Sequence, residues 1–545
     1  MPRGQLLPGP PGGEGRDIVA ITRRRLLEWG AGLTAAGSCG GFRDDTTGRA
    51  ETGRAWPAGT GRKVPAVLAG RAAAEWTALG ADLSGSLIRP GDADYAAACQ
   101  LYNTRFDGLR PVAIAYVSGM NDIVTCLAFA RRYAVPVAIR SGGHSYAGWS
   151  SGNGRLVLDV SLLNTVRILS PDTAVTGAGT RLIDLYTTLA GQGVTVPAGT
   201  CPTTGISGLA LGGGHGILSR LYGLTCDNLT GATLVTADGT ALHCDRDHSP
   251  DLFWALRGAG HGNFGVVTHL RFRTHPIGDM ATCLLSWPWS AASAVLRAWQ
   301  GWGPALPDHI WSSCSLANTT GNTPHISVAS FAIGAPTTLE NALDRLTDTV
   351  GSPPAAFQLR RLAFLDTIRE HAHCPHHTTP QCHLPGHAPG REPVGKLTRD
   401  TFAARSDFFD RSLNTEGIHR LIAGLASFGR RGGCEGHAYV HLTALGGAIN
   451  RVPPLATAFV HRNSRFLAQY LTTWKAGHPA AAHTAWLDRI HATMQRHASG
   501  SAYQNYTDLA VADWRTAYYG NATNRLTQIK HRYDPDHVFT YPQGL

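Results

Sequence analysis

The chain has 545 residues, of which 43% are hydrophobic, so it can form a large core and more than one domain, and it is too apolar to be disordered. Its formal net charge is +10, but the basic residues are nearly all arginines, scattered along the chain rather than gathered in a patch. We therefore predict no nucleic-acid partner. The eleven cysteines, an odd number, do not indicate a regular disulfide framework in a chain of this size.

Residues 1–45 are predicted to be a twin-arginine export signal. Arg23, Arg24 and Arg25 precede a weakly apolar run that is too short and too polar to span a bilayer, and no other stretch approaches membrane-spanning length. The expectation is a secreted or extracytoplasmic protein, and lipid attachment at Cys39 stays open as an alternative. Residues 46–82 are predicted to be a linker that contains one helical patch, with ordered structure beginning near Leu83.

The first regular elements predicted are a strand over 111–117, a helix over 121–133 and a strand over 135–139, which together form a β-α-β unit. A loop with two glycines follows directly. Its glycines leave backbone N–H groups free to face an anion, and its polar side chains add donors. The residues that we assign to cofactor binding here are Arg140, Ser141, Gly142, Gly143, His144 and Ser145. A simple chain reversal that carries a surface histidine is the alternative.

The pattern then predicts strands over 156–160 and 173–176 and a helix over 182–189, followed by the most glycine-dense stretch, residues 197–216. Glycines at this density let backbone lie against a flat or anionic ligand, although flexible linkers have the same composition. Apolar, strand-like segments on both sides favour the first interpretation. The candidate cofactor-binding residues here are Gly199, Thr204, Gly205, Gly208, Gly213, Gly214 and Gly216.

A hairpin is predicted over 228–243 around the turn Asp238-Gly239. A third glycine turn then enters a strand, and it adds Gly262, Asn263, Gly265, Val266 and Val267 as candidate ligand-binding residues. After Pro276 glycine clusters become rare, and strand-like stretches such as 439–442 alternate with long helical ones such as 454–474. This change predicts a second domain. The aromatic stretch from Tyr503 onward is predicted to pack back on a specific surface.

Four motifs in this order closely resemble those of berberine-bridge-enzyme-like flavoprotein oxidases of the vanillyl-alcohol-oxidase superfamily. They are Arg-Ser-Gly-Gly-His at 140–144, Pro-Ala-Gly-Thr-Cys-Pro at 197–202, Gly-Asn-Phe-Gly-Val-Val at 262–267 and Tyr-Gln-Asn-Tyr at 503–506. The resemblance implies an α+β fold, a two-subdomain PCMH-type FAD-binding module with an inserted α/β substrate domain built on an antiparallel sheet. The expected limits are 83–277 for FAD binding, 278–498 for substrate binding and 499–545 for a segment that returns to the first domain.

The resemblance also implies FAD attached covalently through His144 and Cys201, to the flavin 8α-methyl and to ring carbon C6. Each would act as a nucleophile, so the histidine must be neutral and the cysteine a thiolate. A small buried apolar role is the alternative for Cys201. Cys226 is a competing thiol that we predict to be structural.

By the same resemblance Tyr506 is the expected base, which removes a substrate hydroxyl proton when ionised, with Tyr503 and Asn505 as neighbours in the site. A phenol with an ordinary pKa near 10 needs nearby positive charge or another tyrosine to act near neutral pH. Simple packing of closely spaced tyrosines is the alternative.

The predicted function is oxidation of an alcohol or activated C–H carbon of a sugar or secondary metabolite, with O2 as electron acceptor and H2O2 as product. Thr204 occupies the position where oxygen-reactive members tend to carry Val and oxygen-poor members a bulkier residue. Since Thr is nearly the shape of Val, an oxidase is favoured over a dehydrogenase. A non-catalytic flavin- or sugar-binding protein is the alternative of another class, and the oligomeric state is left open.

A Cys/His-rich segment covers residues 371–387. Its spacing matches no standard Zn²⁺ ligand pattern, so we predict no metal site and interpret it as a mobile loop near the cleft entrance, with a Cys374–Cys382 disulfide as one option.

Overall fold

The structure, a computed structural model, describes residues 68–334, 336–429 and 435–545. The predicted export signal over 1–45 and Cys39 lie outside the described residues. Strands and helices alternate irregularly along the described chain. The helices are α1 Leu68–Asp82, α2 Tyr95–Ala98, α3 Met120–Tyr133, α4 Leu182–Ala190, α5 Ile206–Leu211, α6 Ser219–Tyr222, α7 Pro250–Ala259, α8 Ala292–Trp302, α9 Pro336–Val350, α10 Phe364–His371, α11 Thr415–Ala426, α12 Ala448–Arg451, α13 Ala481–Met494, α14 Trp514–Tyr519 and α15 Thr523–Tyr533.

The strands fall into sheets of very different size. They are β1 Ser86–Ile88, β2 Ala113–Tyr116, β3 Val137–Arg140, β4 Leu156–Asp159, β5 Val166–Ser170, β6 Thr173–Gly177, β7 Val194–Thr195, β8 Leu229–Val235, β9 Ala241–Cys244, β10 Val266–Arg273, β11 His275–Pro276, β12 Met280–Pro288, β13 Ile310–Thr319, β14 His325–Ile333, β15 Ala356–Leu362, β16 Phe402–Phe409, β17 His437–Ala444 and β18 Phe466–Thr473.

A four-stranded sheet, in the order β1-β2-β4-β3, carries the predicted β-α-β unit. Strands β2 and β3 both run parallel to β4, which lies between them, and α3 connects β2 to β3. The helix forms because its apolar residues recur on one face, and it buries Ile123 and Leu127 against the core. Because β3 is an edge strand, the loop after Arg140 leaves the sheet at its edge, as predicted.

A five-stranded antiparallel sheet, in the order β5-β6-β10-β8-β9, shares its core with the first sheet. The predicted hairpin is confirmed as the pair β8–β9. Its turn uses Gly239 at a φ of +90°, a conformation that side chains with a Cβ rarely adopt. Strand β10 starts directly after the third glycine turn, so this sheet fixes where that turn begins and ends.

Helix α1 lies inside the segment that the sequence predicted as a linker. Trp76 and Leu79 of this helix are buried in the same core as the two sheets, with Trp76 packed on Phe129 of α3. Regular structure therefore begins before Leu83. Alanine-rich composition indicated a linker here, yet alanine also favours helix, and two large apolar residues suffice to dock one.

A seven-stranded sheet, in the order β15-β12-β14-β13-β17-β18-β16, occupies the region between residues 280 and 473, and every neighbouring pair is antiparallel. Alternation along β17 shows how it is used. Ala438, Val440 and Leu442 face a core formed with helices α8, α9, α11 and α13, whereas His437 and Tyr439 face the opposite side. One face of the sheet is therefore covered by helices, and the other is left for a site.

The helix predicted over 454–474 is wrong. Residues 466–473 form β18, which pairs with β17 on one side and β16 on the other. A strand at this position is buried on both faces, so its residues form a continuous apolar run that periodicity alone cannot distinguish from a buried helix. Among the described residues, no helix is long and apolar enough to cross a membrane.

The Cys/His-rich segment is partly packed rather than a loop at the cleft. Cys374 and Cys382 form a disulfide and are buried beside Ile183 of α4, so the predicted bond is confirmed. None of residues 371–387 lines the large cavity described below. No cluster of His, Cys, Asp and Glu that could hold a metal ion occurs in the described part of the chain.

Candidate active site

A cavity of about 1050 Å³ separates the glycine loops from the uncovered face of the seven-stranded sheet. This volume is at the upper end of the roughly 300–1,000 Å³ typical of ligand sites. Its first side, the glycine wall, comprises residues 141–145, the cavity-lining part of 199–211, and 261–262. Its second side, the sheet wall, comprises Phe402, Tyr439, Gln469, Leu471 and Thr473.

The first glycine loop presents unused donors. The backbone N–H groups of Gly142, Gly143, His144 and Ser145 make no hydrogen bond within the described part of the chain, although all four residues line the cavity. Of the four, Gly143 is buried and the others are half-buried, and successive backbone N–H groups without partners form a concave anion site. The loop therefore fits a phosphate-bearing ligand.

Two glycines hold this loop against the second one. A Cβ at Gly142 would come within 2.2 Å of the Gly205 nitrogen, and a Cβ at Gly205 would come within 1.9 Å of Ser141 Oγ. Neither position has room for a side chain. These glycines are needed for contact between two backbones, in addition to any approach to a ligand.

His144 projects from the first loop between an aromatic ring and a hydroxyl. Its ring stacks on Tyr102 with centroids 4.1 Å apart, and its Nε2 lies 2.8 Å from Thr203 Oγ1. Burial, assisted by the charge of Arg181, lowers the pKa of His144 to about 3. The imidazole is therefore neutral at physiological pH, which is the state that a nucleophilic histidine requires.

Cys201 lines the same cavity from the second loop. It takes part in a disulfide bond. A sulfur in a disulfide is not a thiolate, so a bond from Cys201 to a ligand requires this disulfide to be reduced first. The competing thiol, Cys226, is completely buried, and burial raises its pKa well above 9, which agrees with the structural role predicted for it.

Most of the predicted site residues meet at this cavity. Those that line it are Ser141, Gly142, Gly143, His144, Ser145, Gly199, Cys201, Thr204, Gly205, Gly208, Gly262, Tyr503, Asn505 and Tyr506. The remaining predicted residues lie behind its surface: Arg140, Gly213, Gly214, Gly216, Asn263, Gly265, Val266 and Val267.

The residues behind the surface support it. Arg140 is buried and pairs with Asp159, and its guanidinium also donates to the Ala98 carbonyl at 2.8 Å. A Cβ at Gly214 would meet Thr225, and Val266 begins a buried strand. Their side chains or backbones are already used within the protein, which is why they do not line the cavity.

Asn263 anchors the third glycine loop to the distant segment 530–545. Its Oδ1 accepts hydrogen bonds from the Tyr541 hydroxyl at 2.9 Å and from the Leu545 backbone at 3.1 Å. Lys530 donates to its carbonyl at 2.7 Å and also pairs with Asp534 at 2.6 Å. The predicted return of this segment to a specific surface is thus visible in its contacts.

Tyr506 lies at the cavity between two aromatic neighbours. Its ring stacks on Tyr146 with centroids 5.1 Å apart, and its hydroxyl lies 2.9 Å from His215 Nε2. Burial, followed by Tyr146 and Tyr503, raises the pKa of Tyr506 well above 10. The expected help from positive charge is therefore not visible here, and His215 is the polar group that contacts the hydroxyl.

Tyr503 is buried more deeply, and its hydroxyl is already engaged. The oxygen accepts hydrogen bonds from the Gly214 backbone at 2.8 Å and from Asn505 Nδ2 at 2.7 Å. Two donors fix the phenol in place. This geometry is that of a residue that positions its neighbours, and it does not favour a role in proton transfer.

Sequence reasoning missed four side chains of the site: Tyr102, Tyr146, His215 and His261. His215 and His261 each stand beside a glycine in a glycine-rich turn, and Tyr146 follows Ser145 directly. A polar or aromatic side chain embedded in a glycine turn was the signal, since the glycines on either side bring such a residue close to a ligand. Tyr102 carried no signal, because it reaches the site from another element.

Comparisons with known proteins agree with this geometry. Residues 111–245 match the family described as FAD binding domain, and residues 502–545 match the family described as berberine and berberine like. The chain is 30% identical over 468 residues to an uncharacterized FAD-linked oxidoreductase of Bacillus subtilis, YgaK, covering 85% of this chain and 97% of that protein. The chain belongs to the berberine-bridge-enzyme-like family of FAD-linked oxidoreductases.

Two further relatives of this oxidoreductase support the assignment. A chitooligosaccharide oxidase of Gibberella zeae is 28% identical over 466 residues, covering 82% of this chain and 89% of that protein. The solved structure of Physcomitrella patens BBE-like 1 superposes with a TM-score of 0.78 at 29% identity, covering 86% of this chain and 98% of that one. The predicted α+β PCMH-type fold, FAD as cofactor and oxidoreductase activity are confirmed.

Proposed function

We propose that this oxidoreductase is a secreted FAD-dependent oxidase that oxidises an alcohol or activated C–H carbon of a sugar or secondary metabolite and forms H2O2. Bound FAD supplies the two-electron oxidation and the transfer of electrons to O2. The observation that carries the proposal is one cavity that joins the unpaired N–H groups of residues 142–145, the neutral His144 and the Tyr506–His215 pair. Export by the twin-arginine route is proposed from Arg23 to Arg25 alone.

His144 and Cys201 are the proposed points of covalent attachment. The neutral imidazole of His144 favours a bond to the flavin, and Thr203 and Tyr102 fix the plane of its ring. Attachment at Cys201 needs a thiolate, so it and the disulfide that the residue makes exclude each other. With two tethers, binding energy no longer has to retain the cofactor, so the cavity can stay open to substrate.

Tyr506 is the proposed acceptor of the substrate hydroxyl proton, and His215 is its partner. Burial lowers the pKa of His215 to about 4, so the ring is neutral, and its Nδ1 is buried without a partner. Since a buried N–H is left unpaired less often than a buried lone pair, the proton belongs on Nε2. Nε2–H then donates to Tyr506, and a hydrogen bond to the charged form of an acid favours ionisation.

The sheet wall offers polar, uncharged groups to a substrate. Its side chains include the amide of Gln469, the hydroxyl of Thr473 and the ring of Tyr439, which together can bind several hydroxyl groups and one flat face. The relative named chitooligosaccharide oxidase makes oligosaccharides a natural first class to test. Thr204 at the cavity supports access for O2, because its side chain is small.

Purified protein tests the proposal directly. We expect a yellow protein whose flavin stays bound after acid precipitation, forms H2O2 with oligosaccharides or hydroxylated metabolites, and reoxidises rapidly in stopped-flow with air-saturated buffer. A reduced flavin that persists in air indicates a dehydrogenase with another acceptor. A protein that binds flavin but turns over no member of either substrate class contradicts the enzyme proposal.

Single replacements test the two tethers. His144→Ala is expected to keep flavin through Cys201 but with a lower reduction potential, and Cys201→Ser to keep it through His144. Mass spectrometry of tryptic peptides identifies which residue carries flavin. Flavin that washes out of the wild-type protein on denaturation contradicts covalent attachment while leaving the oxidase proposal intact.

A further inference from the structure

His261 opens the third glycine loop and lines the glycine wall, on the side of the cavity opposite the sheet. Its ring lies against Gly212, where a Cβ would come within 2.1 Å of His261 Nε2. Nothing in the proposed reaction uses this histidine. Its hydrogen bonds nevertheless define its protonation state completely.

Asn505 fixes one side of the ring. Its Nδ2 donates to the Leu209 carbonyl at 3.0 Å, and because a carbonyl only accepts, the amide has a single orientation. Its Oδ1 therefore faces His261 Nε2, at 2.5 Å. An oxygen that only accepts requires a donor, so Nε2 carries the proton.

The other ring nitrogen is left with a lone pair. Burial lowers the pKa of His261, so the imidazole is neutral and Nδ1 carries no proton. Within the described residues Nδ1 makes no hydrogen bond, and it is not among the side-chain atoms sealed from solvent without a partner. It is therefore a fixed acceptor that opens on the cavity.

We propose that His261 Nδ1 accepts a hydrogen bond from bound FAD, either from N3–H of the isoalloxazine or from a hydroxyl of the ribityl chain. The inference rests on FAD occupying the cavity, as proposed above. His261 lies among the residues of the glycine wall, beside Gly262 and near Leu209, rather than on the sheet wall, so the cofactor and not the substrate is its partner. The other heteroatoms of the oxidised flavin ring are acceptors, which leaves N3–H as the ring donor that this nitrogen selects.

Two variants separate the acceptor from the link to Asn505. In His261→Asn the side-chain oxygen takes the place of Nδ1, and the link to Asn505 is lost. In His261→Gln the amide N–H takes the place of Nε2–H, and the acceptor is lost. The holoenzyme of each is titrated with alkali while the flavin absorbance reports ionisation of N3–H, and the fraction of covalently bound flavin is measured separately.

We expect the pKa of flavin N3–H to fall by up to about one unit in His261→Gln, because the acceptor that stabilises the protonated form is lost. In His261→Asn the same pKa should stay near the wild-type value. If the pKa of N3–H is unchanged, and flavin incorporation is lost in His261→Gln but kept in His261→Asn, the partner of His261 Nδ1 is a ribityl hydroxyl instead. If His261→Gln matches wild type in both measurements, the proposal is overturned, since His261 then acts only through Asn505.

Nitrogen NMR of the wild-type holoenzyme provides a measurement that does not depend on the folding of a variant. A ring with protonated Nε2 and bare Nδ1 supports the proposal, and a proton on Nδ1 overturns it. Both readouts observe the flavin or the histidine without turnover. They therefore stay informative if the protein proves not to be an oxidase. A protein that binds no flavin contradicts the proposed function, and the role of His261 is then not the cause of the failure.

Discussion

The glycine wall is built mostly from backbone, and the sheet wall from side chains. Residues 141–145 and 199–208 reach the cavity through short turns whose glycines allow two loops to touch, as at Gly142 and Gly205. The sheet wall depends instead on strands far apart in sequence, such as β16 and β18, which pair Phe402 with Thr473. The difference decides what a sequence can reveal: the first wall can be recognised from local motifs, and the second only after the strands are paired.

Tyr506, which faces the cavity between these walls, gives the largest expected effect. Tyr506→Phe is expected to lower turnover about 10²- to 10⁴-fold, the usual contribution of a positioned acid or base, with flavin content unchanged. Steady-state kinetics and flavin absorbance check it. The matched control is Tyr503→Phe, which removes an acceptor from two N–H groups and is expected to affect stability more than turnover. Equal losses of turnover in the two variants contradict the assignment.

A buried ion pair joins the segment before β18 to the turn before β8, outside both walls. Arg462, just before β18, contacts both carboxylate oxygens of Asp227, at 2.6 and 2.8 Å, with its side chain fully buried. Arg462→Met leaves Asp227 uncompensated and is expected to cost about 3–5 kcal/mol in the free energy of unfolding, measured with denaturant. The control is Arg246→Met, which breaks an exposed pair with Asp247 and is expected to cost less than about 1 kcal/mol. Similar costs would refute the role of burial.

His215, which lines the cavity just after the glycine wall in the sequence, tests what assists Tyr506. His215→Phe removes a donor to the phenolate, so the pKa of Tyr506 rises and the increase of turnover with pH moves upward by about one to two pH units. His215→Gln keeps an N–H donor and is expected to stay close to wild type. The check is the pH profile of kcat. Since His215 has a pKa of about 4, it should add no acidic limb above pH 5. A loss that is uniform at every pH indicates a structural role.

The disulfide Cys374–Cys382, outside both walls, gives the smallest expected effect on the site. Replacing both cysteines by alanine opens a short loop and is expected to cost about 2–3 kcal/mol in the free energy of unfolding. Turnover and flavin content should not change, because neither residue lines the cavity. Thermal unfolding of the variant beside the reduced wild-type protein checks the first part, and a loss of flavin contradicts the second.

Local patterns predicted the glycine wall well. The edge strand β3, the hairpin β8–β9 and the loop with His144 each follow from a few adjacent residues, and most predicted cofactor residues line one cavity. Residues such as Asn263 and Val266 belong to the same motifs but support the wall from behind. A motif shows that a turn is needed, and only the packed structure shows which of its residues face the ligand.

The sheet wall and the roles of the site histidines could not be predicted, because they depend on contacts between residues far apart in the sequence. Strand β18 has the composition of a buried helix, and its identity depends on β16 and β17 on either side. The protonation of His261 depends on Asn505, which is 244 positions away. Contacts over such distances leave no pattern in a short window of sequence.

Asn263 has a consequence for how the protein is made. The third glycine loop emerges from the ribosome long before residues 530–545, which clamp it through Lys530, Tyr541 and Leu545. Until those residues are synthesised, Asn263 Oδ1 and the Asn263 carbonyl lack these donors, although Asn263 Nδ2 can already donate to the Ala259 carbonyl. Loading of the flavin should therefore be a late event in biogenesis, and ribosome-bound chains that stop short of residue 530 should emerge colourless.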